Sequence, residues 1–283
     1  MLFSFLVTAR EGLEMALLVT ILLGYLRSLD QKHHFKEIWY GVALAAGLSI
    51  AFGAGLEVAS QELDGRILEA FEGFTMLFAV VVLTWMLFWM KSQSAGISKE
   101  LRDRVDTALS TGSVTALALL AFSAVGREGL ETSLFLFAGS SSQSSDLMFV
   151  IGGVLGFVVA AAAGVVLYYG AARLPIKQFF LISGVVLMIL AAGMLTNALT
   201  ELNEATIIPD LGHRPWDTEH IIAMTSDMGK FSHTILGYDS APAISQIALY
   251  WGYLVVVVTA YLFLPVRKAS NPSPSVATTA GGE

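Results

Sequence analysis

The chain contains no cysteine. That excludes disulfide staples, thiolate metal ligands and thiol nucleophiles. Charge is also scarce, at 14% of 283 residues, where a soluble domain carries about a quarter. Positive charge is scarcer still: 16 Lys and Arg face 23 Asp and Glu, for a net charge of −7. That balance argues against a nucleic-acid partner.

What is abundant is apolar side chain, 55% of the residues, gathered into runs of about twenty, the length a helix needs to cross a bilayer. Spans are expected near 2–26, 38–59, 69–90, 114–138, 147–170, 179–200 and 247–265. The first run has no basic leader and is interrupted by charge, so it reads as a retained span rather than a signal peptide. Basic residues cluster after alternate spans: Arg27, Lys32 and Lys36; Lys91, Lys99, Arg102 and Arg104; Arg173 and Lys177; Arg267 and Lys268. Cytoplasmic loops are enriched in Lys and Arg. The N-terminus is therefore expected outside and the C-terminus in the cytoplasm. Trp39, Tyr40, Trp85, Trp89, Tyr168 and Tyr169 would form an aromatic belt near the inner boundary. The opposite connections are acidic, and an anionic mouth concentrates cations. The 267–283 tail reads as disordered.

The first span holds Arg-Glu-Gly-Leu-Glu at 10–14, and the same phrase returns at 127–131. The likeness extends outward. Residues 38–59 and 147–170 are both rich in Gly and Ala, and "EGFTMLF" at 72–78 aligns with "SGVVLMI" at 183–189. The expected architecture is an all-α integral membrane protein with seven transmembrane helices. It divides into a first three-helix repeat (1–90), a cytoplasmic loop (91–113), a second, inverted three-helix repeat (114–200), a long outer loop (201–246) and a seventh helix (247–266). Inverted repeats are common in secondary transporters, whose sites lie at the repeat interface near the midplane.

Within each motif, helical spacing puts Arg10 beside Glu14 and Glu11 beside Glu14; Arg127, Glu128 and Glu131 repeat the pattern. A charge at mid-membrane costs roughly 2.5–3.5 kcal/mol on an insertion scale, so six carry a gross penalty on the order of 15–20 kcal/mol before pairing. Two arginines against four glutamates leave a surplus of two negative charges, which a cation would neutralise. Carboxylate oxygens suit hard cations. Buried salt bridges that only fix helix packing are the competing explanation. Two copies at matching places in inverted repeats favour function.

These features resemble the oxidase-dependent iron permease family, which includes fungal high-affinity iron permeases and bacterial EfeU-type proteins. "REGLE" at 10–14, "REGLE" at 127–131 and "EAFEG" at 69–73 carry the likeness. The resemblance implies a plasma-membrane (bacterial inner-membrane) transporter, not an enzyme, that moves ferric iron inward. Iron is its cargo, and no intrinsic cofactor is implied. It also implies metal coordination by Glu11, Glu14, Glu128 and Glu131, with Arg10 and Arg127 orienting them. A partner ferroxidase or periplasmic iron-delivery protein would handle oxidation.

Glu69 and Glu72, at the outer start of the third span, would pass iron inward; acids at a helix start are the plain alternative. Glu57 is an accessory candidate. So are His213, His220 and His233 in the outer loop, with Asp210, Asp217 and Glu219 nearby in sequence. His33 and His34 read as an ordinary solvated inner loop. Three other functions compete: transport of ferrous iron or manganese, a membrane iron sensor or scaffold, and an intramembrane di-iron redox enzyme. Di-iron bundles add Glu-x-x-His ligands, and the expected spans contain no histidine.

Overall fold

The computed structural model describes residues 1–93, 97–110, 114–140, 146–170, 176–209, 212–226, 229, 232–233 and 237–263. Asp210, Asp227, Arg173, Lys230, Arg267, Lys268 and the 267–283 tail lie outside them. Among the described residues there is no strand. The helices are α1 (Leu2–Ser28), α2 (Phe35–Gln61), α3 (Arg66–Gln93), α4 (Ile97–Ser110), α5 (Val114–Ser140), α6 (Asp146–Tyr168), α7 (Ile176–Glu204) and α8 (Ile244–Phe263), with a 3₁₀ turn at Lys32–His34. Each expected span falls on one of them.

Lipid offers backbone groups no hydrogen-bond partners, so a spanning segment must satisfy them internally, and a helix does so. Five helices, α2, α3, α6, α7 and α8, are long and apolar enough to cross a membrane. The chain is a multi-pass membrane protein by that measure. α1 and α5 are 27 residues each, or about 40 Å at helical rise. They fall short on composition alone, because each carries Arg-Glu-x-x-Glu at its middle. Large apolar side chains stand exposed on the outer helices, including Leu44 and Ile50 on α2, Val154 and Val158 on α6, and Val255 and Val256 on α8. Lipid tails would cover that belt.

The expected 91–113 loop contains a helix. In α4, Leu101, Val105 and Ala108 are buried and pack with Leu22, Leu26, Ile38 and Leu117. The spacing i, i+4, i+7 puts the three on one face. Leu109 packs beside them, while the charged residues Lys99, Glu100, Arg102, Asp103, Arg104 and Asp106 are exposed.

Packing does not follow chain order. α1 lies chiefly against α6, α5 against α2, and α3 against α7, while α1 and α5 also meet each other. Phe3, at the start of α1, sits against Gly139 at the end of α5, so these two run antiparallel. One core of Phe3, Val7, Met76, Leu83, Met86, Phe135, Met188 and Leu190 joins α1, α3, α5 and α7. Glycines set the closest approaches. A methyl group on Gly41 of α2 would run into the Ala118 carbonyl of α5, and one on Gly12 would come within 2.7 Å of the Ala160 methyl on α6. Gly47 faces open space. Gly41→Ala should therefore lower stability by about 1–3 kcal/mol through overpacking. Gly47→Ala should be neutral or stabilising by up to about 1 kcal/mol through helix propensity. Thermal unfolding of the two variants in the same detergent checks the contrast.

Candidate metal centre

The antiparallel pairing of α1 and α5 brings the two motifs face to face. On α1, the Arg10 guanidinium is 2% exposed, and its two terminal nitrogens divide between the acids. Nη1 donates to Glu11 Oε1 at 2.7 Å, and Nη2 lies 3.2 Å from Glu14 Oε1. The same nitrogens reach α3, at 3.5 Å from Met86 Sδ and 2.9 Å from Met90 Sδ. On α5, Arg127 Nε donates to Glu131 Oε1 at 2.9 Å and stands 3.9 Å from Glu128 Oε1. Its guanidinium lies over the Trp89 ring, 3.9 Å from the centroid, with Trp85 at 5.5 Å. Trp85 and Trp89 are thus arginine contacts as well as members of the expected aromatic belt.

Glu11, Glu128 and Glu131 are all buried, and each offers an oxygen within 4.8 Å of the others'. Among the described residues they are the one group of three or more acids or histidines close enough to hold a metal ion. Oε2 of each is buried with no hydrogen-bond partner. A buried polar atom without a partner is uncommon and costly. Two carboxylate charges at that separation repel by about 3.5 kcal/mol at an effective dielectric near 20. Arg10 and Arg127 cancel part of this; a bound cation or protons must cancel the rest. Glu14, the fourth expected ligand, is buried against Arg10 and lies outside the close triad.

A cavity of about 1360 Å³ opens between α1, α2, α5 and α6. Gly12 and Gly129 line its centre, Glu57 and Glu72 one end, and Trp39 and Tyr168 the other. Glu57 is exposed and accepts a hydrogen bond from Gln61 Nε2 at 3.0 Å. Glu69 and Glu72 at the start of α3 are half-buried and are electrostatic neighbours of Glu201 at the end of α7. Glu201 and Glu204 show the same three-residue spacing as Glu69 and Glu72, and they close α7 rather than opening the expected 201–246 loop. His213 and His220 are exposed. His233 Nδ1 lies 2.8 Å from the Tyr238 carbonyl oxygen and faces a second cavity of about 780 Å³ beside Glu201 and Asp239. The three histidines do not join any ligand group among the described residues. The rings of His33 and His34 lie against each other at a tilt of 42°, with centroids 4.1 Å apart.

The pattern of the iron permease FTR1 family matches residues 1–270. The chain belongs to that family. It is 34% identical over 278 residues to the ferrous iron permease EfeU of Escherichia coli O6:K15:H31, covering 98% of this chain and all of that protein. It is 34% identical over 277 residues to the ferrous iron permease EfeU of Shigella sonnei, covering 97% of this chain and all of that protein. The ferrous iron permease EfeU of Yersinia pestis is 32% identical over 279 residues, 98% of each chain. No solved structure matches the chain. As an iron permease the chain is a transporter, not an enzyme.

Proposed function

We propose that this permease carries iron inward across the plasma membrane through one site shared by the two motifs. The observation that carries the reading is the buried triad: Glu11 from α1 with Glu128 and Glu131 from α5, each with an unpartnered oxygen. Glu14 holds Arg10 in place and completes the acidic surplus. Glu69 and Glu72, with Glu201 and Glu204, collect the ion at the outer end. Orientation follows from the loop charges, with the N-terminus outside and the C-terminus cytoplasmic. Any oxidation falls to a partner ferroxidase or iron-delivery protein.

The inverted-repeat reading draws support from matched contacts. Residues 117 apart exchange α1 with α5, and residues 111 apart exchange α2 with α6. Gly12 abuts Ala160, and Gly129 abuts Ser49. Gly41 abuts Ala118, and its counterpart Gly152 abuts Met1. Gly53 neighbours Ser133, and Gly164 neighbours Ala16. Each pair maps onto the other under the exchange. Seven spans then follow if α1 and α5 cross with their charges turned inward. Rocking of one repeat against the other would expose the triad to each side in turn.

The relatives' names specify ferrous iron. The carboxylate-only donor set favours the harder ferric ion, since ferrous iron also accepts softer donors. Ferrous iron is the second reading, and manganese a third. Uptake of radiolabelled iron into proteoliposomes separates them. Ferric nitrilotriacetate should support uptake, and a tenfold excess of manganese should leave it in place. Uptake only after reduction with ascorbate would favour the ferrous reading. Tight binding without flux would favour a sensor.

A further inference from the structure

The internal symmetry fails at one place. Under the exchange that maps Arg127 onto Arg10, Trp85 and Trp89 of α3 map onto Thr196 and Thr200 of α7. Arg10 should therefore meet those threonines. Instead their hydroxyls are used elsewhere: Thr196 Oγ1 donates to the Gly193 carbonyl at 2.8 Å, and Thr200 Oγ1 accepts from Gln246 Nε2 at 2.9 Å. Arg10 turns to Met86 and Met90 of α3. Both motif arginines thus rest on "WMLFWM" at 85–90, a segment with no charge of its own. Trp85 and Trp89 are four apart and so share a face, and Met86 and Met90 share the next one round. The tryptophan rings stack on each other, with centroids 6.4 Å apart.

We propose that Trp89, backed by Trp85, is a positioning residue for the metal site, holding Arg127 where it orients Glu131 and Glu128. This rests on the proposed triad. A guanidinium over an indole face is attracted by the ring's negative quadrupole, and the attraction strengthens where water is excluded. Arg127 is the freer of the two arginines, its side chain 29% exposed against 2% for Arg10. A fixed partner is worth most there. Without the ring, Arg127 can swing toward solvent, and Glu131 loses the donor that fixes its Oε1.

The test compares the full-length protein with Trp89→Leu, Trp89→Phe and Trp85→Leu in proteoliposomes supplied with ferric nitrilotriacetate. Trp89→Leu should raise the KM for uptake by about 2- to 30-fold, the range for loss of a cation–π contact between the exposed and desolvated limits, with little change in maximal rate. Trp89→Phe, which keeps a π face, should recover most of the affinity. In an Arg127→Gln background, Trp89→Leu should add nothing, because it acts through that arginine. Trp85→Leu, at a 57% exposed position, should give a smaller loss that also vanishes in that background. It keeps the test open if Trp89→Leu does not fold. Equal loss in Trp89→Leu and Trp89→Phe, or additive effects with Arg127→Gln, would overturn the proposal, as would an unchanged KM. Glu131→Gln run in parallel separates the two failures. If it abolishes uptake while Trp89→Leu is silent, only the positioning role falls; if it is silent too, the site itself falls.

Discussion

Glu128→Gln is expected to reduce iron affinity by at least about 100-fold, since altering even an outer partner of a metal ligand costs 10–100-fold. Glu11→Gln and Glu131→Gln should do the same. The amide keeps the shape of the carboxyl and removes one charge from a triad whose oxygens lie within 4.8 Å. Glu128 is the most informative of the three. Its nearest arginine nitrogen is 3.9 Å away, so the change breaks no short ion pair. Its removal also relieves repulsion from Glu11 and Glu131. Folded stability should therefore be equal to or above that of the parent protein while iron uptake falls to background. Thermal unfolding and radiolabelled uptake on the same preparation check both halves. A purely structural glutamate would give the reverse pattern, with lost stability and retained uptake. Glu57→Gln, at the exposed end of the cavity, should change uptake by less than about threefold, in line with an ordinary surface substitution.

Arg10→Leu is expected to be the most damaging single change to folding. Arg10 is among the largest fully buried side chains in the protein, and it pairs with Glu11 and Glu14. Removing one partner of a buried ion pair leaves an uncompensated charge and costs about 3–5 kcal/mol. Two acids lose their cation here. Arg10→Lys should not restore the protein, because a single ammonium cannot divide itself between Glu11, Glu14 and the two thioethers as the planar fork does. Arg127→Leu should cost clearly less, since Arg127 is 29% exposed against 2% for Arg10 and its ion pairs are correspondingly less desolvated. Unfolding temperature and yield of monodisperse protein in detergent measure the difference. Equal losses at the two arginines would show that burial does not set the cost.

Much of the frame was legible because lipid removes alternatives. A run of about twenty apolar residues has one way to satisfy its backbone, so all seven expected spans fall on helices. The motifs were legible because Arg, Glu and Glu at mid-span stand out from their surroundings. Other features were hidden for specific physical reasons. α4 is amphipathic, with Leu101, Val105, Ala108 and Leu109 in one cluster, but at 14 residues and rich in charge it is too short and too polar to register as a span. Glu14 and Glu11 look equivalent on a helix, and both pair with Arg10, at 3.2 and 2.7 Å, yet only Glu11 also comes close to Glu128 and Glu131. That choice depends on how α1 and α5 rotate about their axes, which spacing within one helix does not specify. The arginine contacts at Trp89, Met86 and Met90 were masked in the same way: aromatic and apolar residues near a membrane boundary need no special explanation. The matched glycine contacts were half visible. Composition showed Gly and Ala in corresponding helices, but only packing shows that Gly12 meets α6 while Gly129 meets α2.

The central claim is that one iron ion binds between the two motifs. Anomalous scattering at the iron edge, from crystals of the full chain grown with ferric iron, tests it most directly. The account predicts a single strong peak bounded by Glu11, Glu128 and Glu131, lost in Glu128→Gln. A peak confined to the outer acids Glu69, Glu72, Glu201 and Glu204, with none between α1 and α5, would contradict it.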